Sequence, residues 1–229
     1  MRKKIVVLSG AGVSAESGIK TFRDADGLWE GHDIMEVASP EGWNNNRELV
    51  NNFYNERRQQ LNEVSPNKAH KLIASLQDEY NVHVITQNVD DLHERAGSKE
   101  VLHLHGELRK VRSTGDPELI YHWEKDVNDV DKCEKGHPLR PHIVWFGEEV
   151  PALSSAVDII HDAEIVVIIG TSLQVYPAAG LISYAARNAQ IYYIDPKPFI
   201  SHELKRLQHT IIDRKATVGM KLLISYLKN

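Results

Sequence analysis

Cysteine is almost absent: Cys133 is the only one in 229 residues. A single thiol cannot close an internal disulfide, so a reducing compartment such as the cytoplasm fits. It also cannot supply a zinc site of the all-cysteine type. Long apolar runs are missing too. No stretch approaches the roughly 18 residues that a membrane-spanning helix needs, so no membrane partner is expected. Neither sign of charge dominates, with 27 Lys and Arg against 32 Asp and Glu. A direct nucleic-acid partner is therefore not indicated. The segment after Met1–Ser9 is not a signal-peptide cleavage pattern. What remains is the composition of a soluble globular protein. Its length suits one α/β domain, with room for a small inserted module.

Apolar runs at Lys4–Leu8, Val82–Thr86, Val101–Leu104, Ile165–Ile169 and Ile191–Ile194 read as strands. Helical patterns lie between them, at Pro40–Leu61, from Ser65-Pro66 to about Tyr80, at Pro151–Asp162, Pro177–Asn188 and Lys215–Leu227. Ser65 would be an N-cap with Pro66 at the first helical position. This alternation predicts an α/β fold with a parallel sheet. Lys20–Asp33 reads as a long loop. Arg109–Pro141 is polar and rich in breakers, and reads as a small irregular module. His142–Phe146 is strand-like.

Gly10-Ala11-Gly12-Val13-Ser14-Ala15 follows the first strand and is expected to open a helix. Such a turn lets the backbone approach a pyrophosphate, and a helix N-terminus favours its charge. By itself the pattern also reads as a plain tight strand-to-helix turn. Gly170-Thr171-Ser172 ends the most apolar strand, where ligands of parallel sheets sit. Asp195 ends the next strand. It could take a ribose hydroxyl or simply turn the chain before Pro196.

Gly10–Ile19 followed by Thr21-Phe22-Arg23-Asp24 resembles the signature of the sirtuins, NAD-dependent protein-lysine deacylases. Thr86-Gln87-Asn88-Val89-Asp90, Leu104-His105-Gly106, Phe146-Gly147-Glu148 and Gly170-Thr171-Ser172 follow in the family's order. The resemblance implies a Rossmann-type parallel sheet with helices on both faces, formed by about 1–30, 66–108 and 142–229. It also implies a small domain built from two insertions, about 31–65 and 109–141. NAD would lie between the domains. Gly10, Ala11, Gly12, Ser14, Ala15, Thr21, Phe22, Arg23, Gln87, Asn88, Asp90, Gly170, Thr171, Ser172, Asp195 and Ala216 would contact it.

His105 is the expected general base, because an imidazole titrates near neutrality. His103, two residues earlier, is its main competitor, and the family's motif selects His105. Asn88 and Asp90 complete the catalytic set by resemblance, offering donors and acceptors to the nicotinamide carboxamide. Their other reading is ordinary turn chemistry. The implied reaction consumes NAD. The acyl oxygen attacks the anomeric carbon, nicotinamide leaves, and His105 activates a ribose hydroxyl. The products are lysine and O-acyl-ADP-ribose. His142–Glu148 resembles the family's substrate edge, where a peptide adds as a strand. Val144 and Phe146 would wall the acyl-lysine tunnel, beside Gly147 and Glu148.

Tyr54 and Arg57 are i and i+3 on a helix and share a face. A guanidinium with a phenol suits an acyl group that ends in a carboxylate. The pair is similar to that of the desuccinylase-like class III sirtuins, which implies succinyl, malonyl and acetyl substrates. The plain alternative is a surface ion pair of Arg57 with Glu56. Sirtuins typically carry a zinc held by four cysteines. Here Ser113 stands where one is expected and only Cys133 remains, so no metal is expected. Packing by Tyr121, Trp123 and Leu139 would hold the module instead. An NAD glycohydrolase or mono-ADP-ribosyltransferase on the same scaffold is the competing activity. A dehydrogenase is disfavoured, because the acidic residue that should end a second strand falls in the Lys20–Asp33 loop.

Overall fold

The structure, a computed structural model, describes residues 2–20, 28–29 and 31–228. Eleven strands occur among them. They are β1 (Lys4–Ser9), β2 (Leu28–Trp29), β3 (His32–Asp33), β4 (Asn81–Thr86), β5 (Val101–His103), β6 (Gly106–Ser113), β7 (Ile120–His122), β8 (Leu139–Ile143), β9 (Ile165–Ile169), β10 (Gln190–Ile194) and β11 (His209–Ile212). Six form one parallel sheet in the order β11-β10-β9-β1-β4-β5. The chain crosses from β5 back to β9, so the order reverses between β1 and β9. That is the doubly wound arrangement, with a crevice at the reversal point.

The central strands are apolar on both sides because both faces are covered. Ile5, Val7, Val167 and Ile169 face one core, beneath helices α4 (Lys68–Ser75) and α8 (Ala216–Leu227). Val6, Leu8, Val166 and Ile168 face the other, beneath α6 (Leu153–His161) and a 3₁₀ segment at Ala178–Tyr184. Glu16 caps α8, its two carboxylate oxygens accepting from the Thr217 amide and hydroxyl at 2.9 and 2.8 Å.

Three helices precede α4: α1 (Ile34–Val37), α2 (Pro40–Asn45) and α3 (Arg47–Glu63). The helical stretch expected over Pro40–Leu61 is thus two helices, broken at Asn46, whose side chain caps α3 by accepting from Leu49 N at 3.0 Å. Packing of α1–α3 against β6 and β8 buries Trp43, Phe53, Tyr54, Leu61, Leu108 and Trp145 together. Asn55 reaches across to Val127, donating to its carbonyl and accepting from its amide. Arg58 donates to Leu108 O at 2.7 Å.

Several expectations are corrected. Ala11–Val13 and Ala15–Ser17 form two short 3₁₀ turns rather than a helix. Val13 N closes on Gly10 O at 3.0 Å, and Ser14 turns its hydroxyl inward. The glycine loop therefore presents no α-helix N-terminus to a ligand. Ser65 is not an N-cap; Asn67 caps α4, accepting from Ala69 N at 2.8 Å. Its amide also donates to Val13 O and Ser17 Oγ, tying α4 to the glycine loop. The supposedly irregular Arg109–Pro141 module contains an antiparallel sheet in the order β7-β6-β8. The charges of Arg109, Lys110 and Arg112 hide the inward positions Leu108, Val111 and Ser113, and a register shift before Val111 interrupts the alternation. The helix expected over Pro177–Asn188 is only a 3₁₀ segment, Ala178–Tyr184, and β8 ends at Ile143, short of Phe146. No helix among the described residues is long and apolar enough to cross a membrane.

Candidate active site

The glycine turn after β1 and the turn after β9 interlock at the reversal point. Gly10 N donates to Ile169 O at 3.1 Å and Gly12 N to Gly170 O at 2.8 Å. A Cβ on Gly12 would stand 2.7 Å from Gly170 Cα, so only glycine permits this approach. The two turns floor a cleft of about 960 Å³. Gly10, Ala11, Gly12 and Ala15 line it beside Gly170, Thr171 and Ser172, with Asp195 and Ala216 beyond them. Gln87, Asn88, Asp90 and His105 form its inner wall. Tyr54, Arg57, Val144, Phe146, Gly147 and Glu148 close the side toward α3 and β8. Ser14 lies behind that wall. Thr21, Phe22 and Arg23 lie outside the described residues.

The inner wall is a buried hydrogen-bond network. The Ser14 hydroxyl donates to Asp90 Oδ2 at 2.9 Å and accepts from Asn88 Nδ2 at 3.1 Å. Asp90 Oδ1 accepts from Leu92 N at 3.1 Å, and Thr86 Oγ1 from Asn88 N at 3.0 Å. Burial pushes the Asp90 carboxyl up, against the pull of these bonds. Behind Ser14 stands His70, its Nε2 at 3.4 Å from Ser14 Oγ. Burial lowers its pKa to about 4, so the ring is neutral, and because the Ser14 proton goes to Asp90, Nε2 is the donor in this contact. Nothing in the local pattern around His70 distinguishes it from a core histidine.

The two candidate histidines separate cleanly. His103 uses both ring nitrogens, Nδ1 on Asn88 O at 2.8 Å and Nε2 on Glu94 Oε1 at 2.7 Å. Burial opposes its charge, but the bonds to Glu94 and Asn88 O, with the nearby Glu107 charge, together raise the pKa. His105 Nδ1 lies 3.1 Å from Gln87 O. A carbonyl only accepts, which assigns the proton to Nδ1 and leaves the Nε2 lone pair available. Burial lowers the His105 pKa, partly opposed by the Gln87 bond, which favours the neutral ring. Gln87 also donates to Thr171 Oγ1 at 2.9 Å, joining the wall to the floor.

At the other end, Arg57 Nη1 donates to Phe53 O at 2.7 Å and to Glu56 at 3.0 Å, with the guanidinium over the Phe53 ring. The surface ion pair therefore exists, yet Arg57 also lines the cleft, and its buried Nε has no partner among the described residues. Tyr54 is fully buried. Glu148 is engaged within the protein. Arg140 holds it at 2.7 and 3.1 Å, Arg112 at 3.2 Å, and Trp145 N donates to it at 2.8 Å. Its carboxylate thus fixes the turn that carries Val144–Gly147 and is not presented to a ligand. Asp195 Oδ1 accepts from Lys197 N at 2.8 Å, so the turn role applies while the residue still lines the cleft. In the small sheet, Ser113 Oγ donates to Cys133 Sγ at 3.2 Å. Tyr121, Trp123 and Leu139 pack with Val111, Val127 and Cys133. No group of three or more metal-ligand side chains occurs among the described residues.

Fold and cleft together define a doubly wound α/β protein with a dinucleotide-sized cleft and an imidazole in its inner wall. The Sir2 family profile matches residues 10–177. An NAD-dependent protein deacylase of Helicobacter pylori is 63% identical over 206 residues, covering 90% of each chain. One from Bacteroides thetaiotaomicron is 52% identical over 227 residues, covering 96% of each. A crystal structure of a Sir2 homolog–NAD complex superposes with a TM-score of 0.87 at 39% identity, covering 99% of this chain and 90% of that one. The chain belongs to the Sir2 family.

Proposed function

We propose that this NAD-dependent protein deacylase removes succinyl and malonyl groups from lysine, and acetyl groups as well. The cleft volume and the glycine-only contact between its floor turns suit a dinucleotide. When bound, NAD supplies the electrophilic ribose carbon and ends as nicotinamide and O-acyl-ADP-ribose. In this reading Asn88 and Asp90, held by Ser14, orient the nicotinamide end. His105 Nε2 takes a proton from a ribose hydroxyl, and Gln87 keeps that nitrogen facing the cleft. Val144, Phe146 and Gly147 flank the acyl-lysine. Residues about 31–65 and 109–141 act as one small domain, and the enzyme works in the cytoplasm.

The observation that carries the acyl preference is the buried Arg57 Nε–H, a charged donor in the cleft without an acceptor among the described residues. Leaving such a group unpaired is costly, and a carboxylate relieves it. Specificity constants for succinyl- and acetyl-lysine peptides test the reading in wild type and Arg57→Met. The expected loss is about 1.5–3 kcal/mol on the succinyl peptide only. Equal loss on both peptides overturns it. Mass spectrometry of the products should find O-acyl-ADP-ribose. ADP-ribose formed without any need for acyl-lysine would instead identify a glycohydrolase.

Cys133 with a serine partner does not fit the family's four-cysteine zinc set. Metal analysis of the purified protein is expected to find no near-stoichiometric zinc, and a chelator is expected to leave its melting temperature unchanged.

A further inference from the structure

Tyr54 and Trp145, 91 positions apart, meet in the core at the acyl end of the cleft. The indole Nε1–H donates to the Tyr54 hydroxyl at 3.1 Å. Indole nitrogen only donates, so the phenol oxygen is the acceptor and its own proton must point elsewhere. No hydrogen bond from that proton to another described residue is present. Trp145 itself is held from several sides. Its amide donates to Glu148, the Arg140 guanidinium lies 3.2 Å from its ring centroid, and Trp43 packs at 5.6 Å. Arg140 is in turn anchored by Glu148 and Ile143 O. The indole has no room to swing away.

A phenol can donate or accept, but only donation attracts a carboxylate. A donor already bound to its oxygen both settles the choice and strengthens the remaining O–H. We infer that Trp145 is a positioning residue for acyl selectivity. Its N–H occupies the Tyr54 oxygen and commits the Tyr54 hydroxyl to donate to the carboxylate of an acidic acyl group. This rests on the acidic-acyl reading above. Arg57 supplies the charge, and the Trp145–Tyr54 pair supplies a donor with a fixed direction.

The test is the ratio of kcat/KM for succinyl- over acetyl-lysine peptides. Two forms remove the N–H: Trp145→Phe, and site-specific benzothienylalanine at 145, which keeps the bicyclic shape. Each is expected to lower the ratio about tenfold. In a Tyr54→Phe background the same change should lower it no further, because the donor is already gone. An unchanged ratio in the benzothienylalanine protein overturns the inference. So does an equal loss on both peptides, or a full additional loss in the Tyr54→Phe background. If Trp145→Phe does not fold, the benzothienylalanine form decides alone. Wild type that cleaves no succinyl peptide would instead sink the acidic-acyl reading itself, which separates the two failures.

Discussion

His105→Ala is expected to lower kcat/KM for deacylation by about 10²–10⁴-fold, the usual contribution of a general base. The loss should fall on kcat more than on the KM for NAD, because the ring's fixed contact is to Gln87 O rather than to the nucleotide floor. The pH profile carries a second, independent sign. A base works in its neutral form, and burial holds the His105 pKa below its ordinary 6.5. The acid limb of kcat/KM should therefore lie below pH 6.5. A limb above that value would point to a charged partner for His105, which the described residues do not provide. His103→Gln offers the contrast. That ring is committed on both nitrogens, so its replacement should perturb the Asn88 turn without abolishing the base.

Gly106→Ala is expected to be strongly damaging for a single added methyl. Gly106 has φ +83, a region that costs an L-residue about 1–2 kcal/mol. A Cβ there would also stand 2.0 Å from His142 O, a backbone atom of the adjacent strand. Relieving that overlap means parting β6 from β8 directly beside His105, at a further cost of about 1–3 kcal/mol. Together these give roughly 3 kcal/mol, or a fall in melting temperature on the order of 6–12 °C for a domain of this size. Thermal unfolding of the variant checks the first effect. Its kcat should fall as well, since Val144 N bonds His105 O across the same junction. A variant with wild-type melting temperature and activity would show that β6 and β8 part without cost.

Much of this was legible along the chain because it is local. Five apolar runs became strands of the parallel sheet, with Ile165–Ile169 matching residue for residue. An edge strand, β11, escaped notice because His209–Ile212 is short and half exposed. The i, i+3 spacing brought Tyr54 and Arg57 to one cleft because both lie on α3. The ordered motifs marked the cleft's walls, since each motif sits on a turn at a strand end. The helix expected after the first glycines failed for a tertiary reason. Ser14, at the junction of the two 3₁₀ turns, bonds Asp90, 76 positions away, a partner no local pattern reveals.

The sequence by itself determined the fold class, the glycine turns and the residue types that face the cleft. These follow from periodicity and from backbone sterics within a few positions. The tertiary structure alone decided which of two neighbouring histidines keeps a free nitrogen, since that depends on Glu94 and two carbonyl oxygens. It alone showed that Glu148 is spent on Arg112 and Arg140. It also decided that the indole of Trp145 faces the phenol of Tyr54. Such roles depend on which donor finds which acceptor across the core, and no local pattern encodes that pairing.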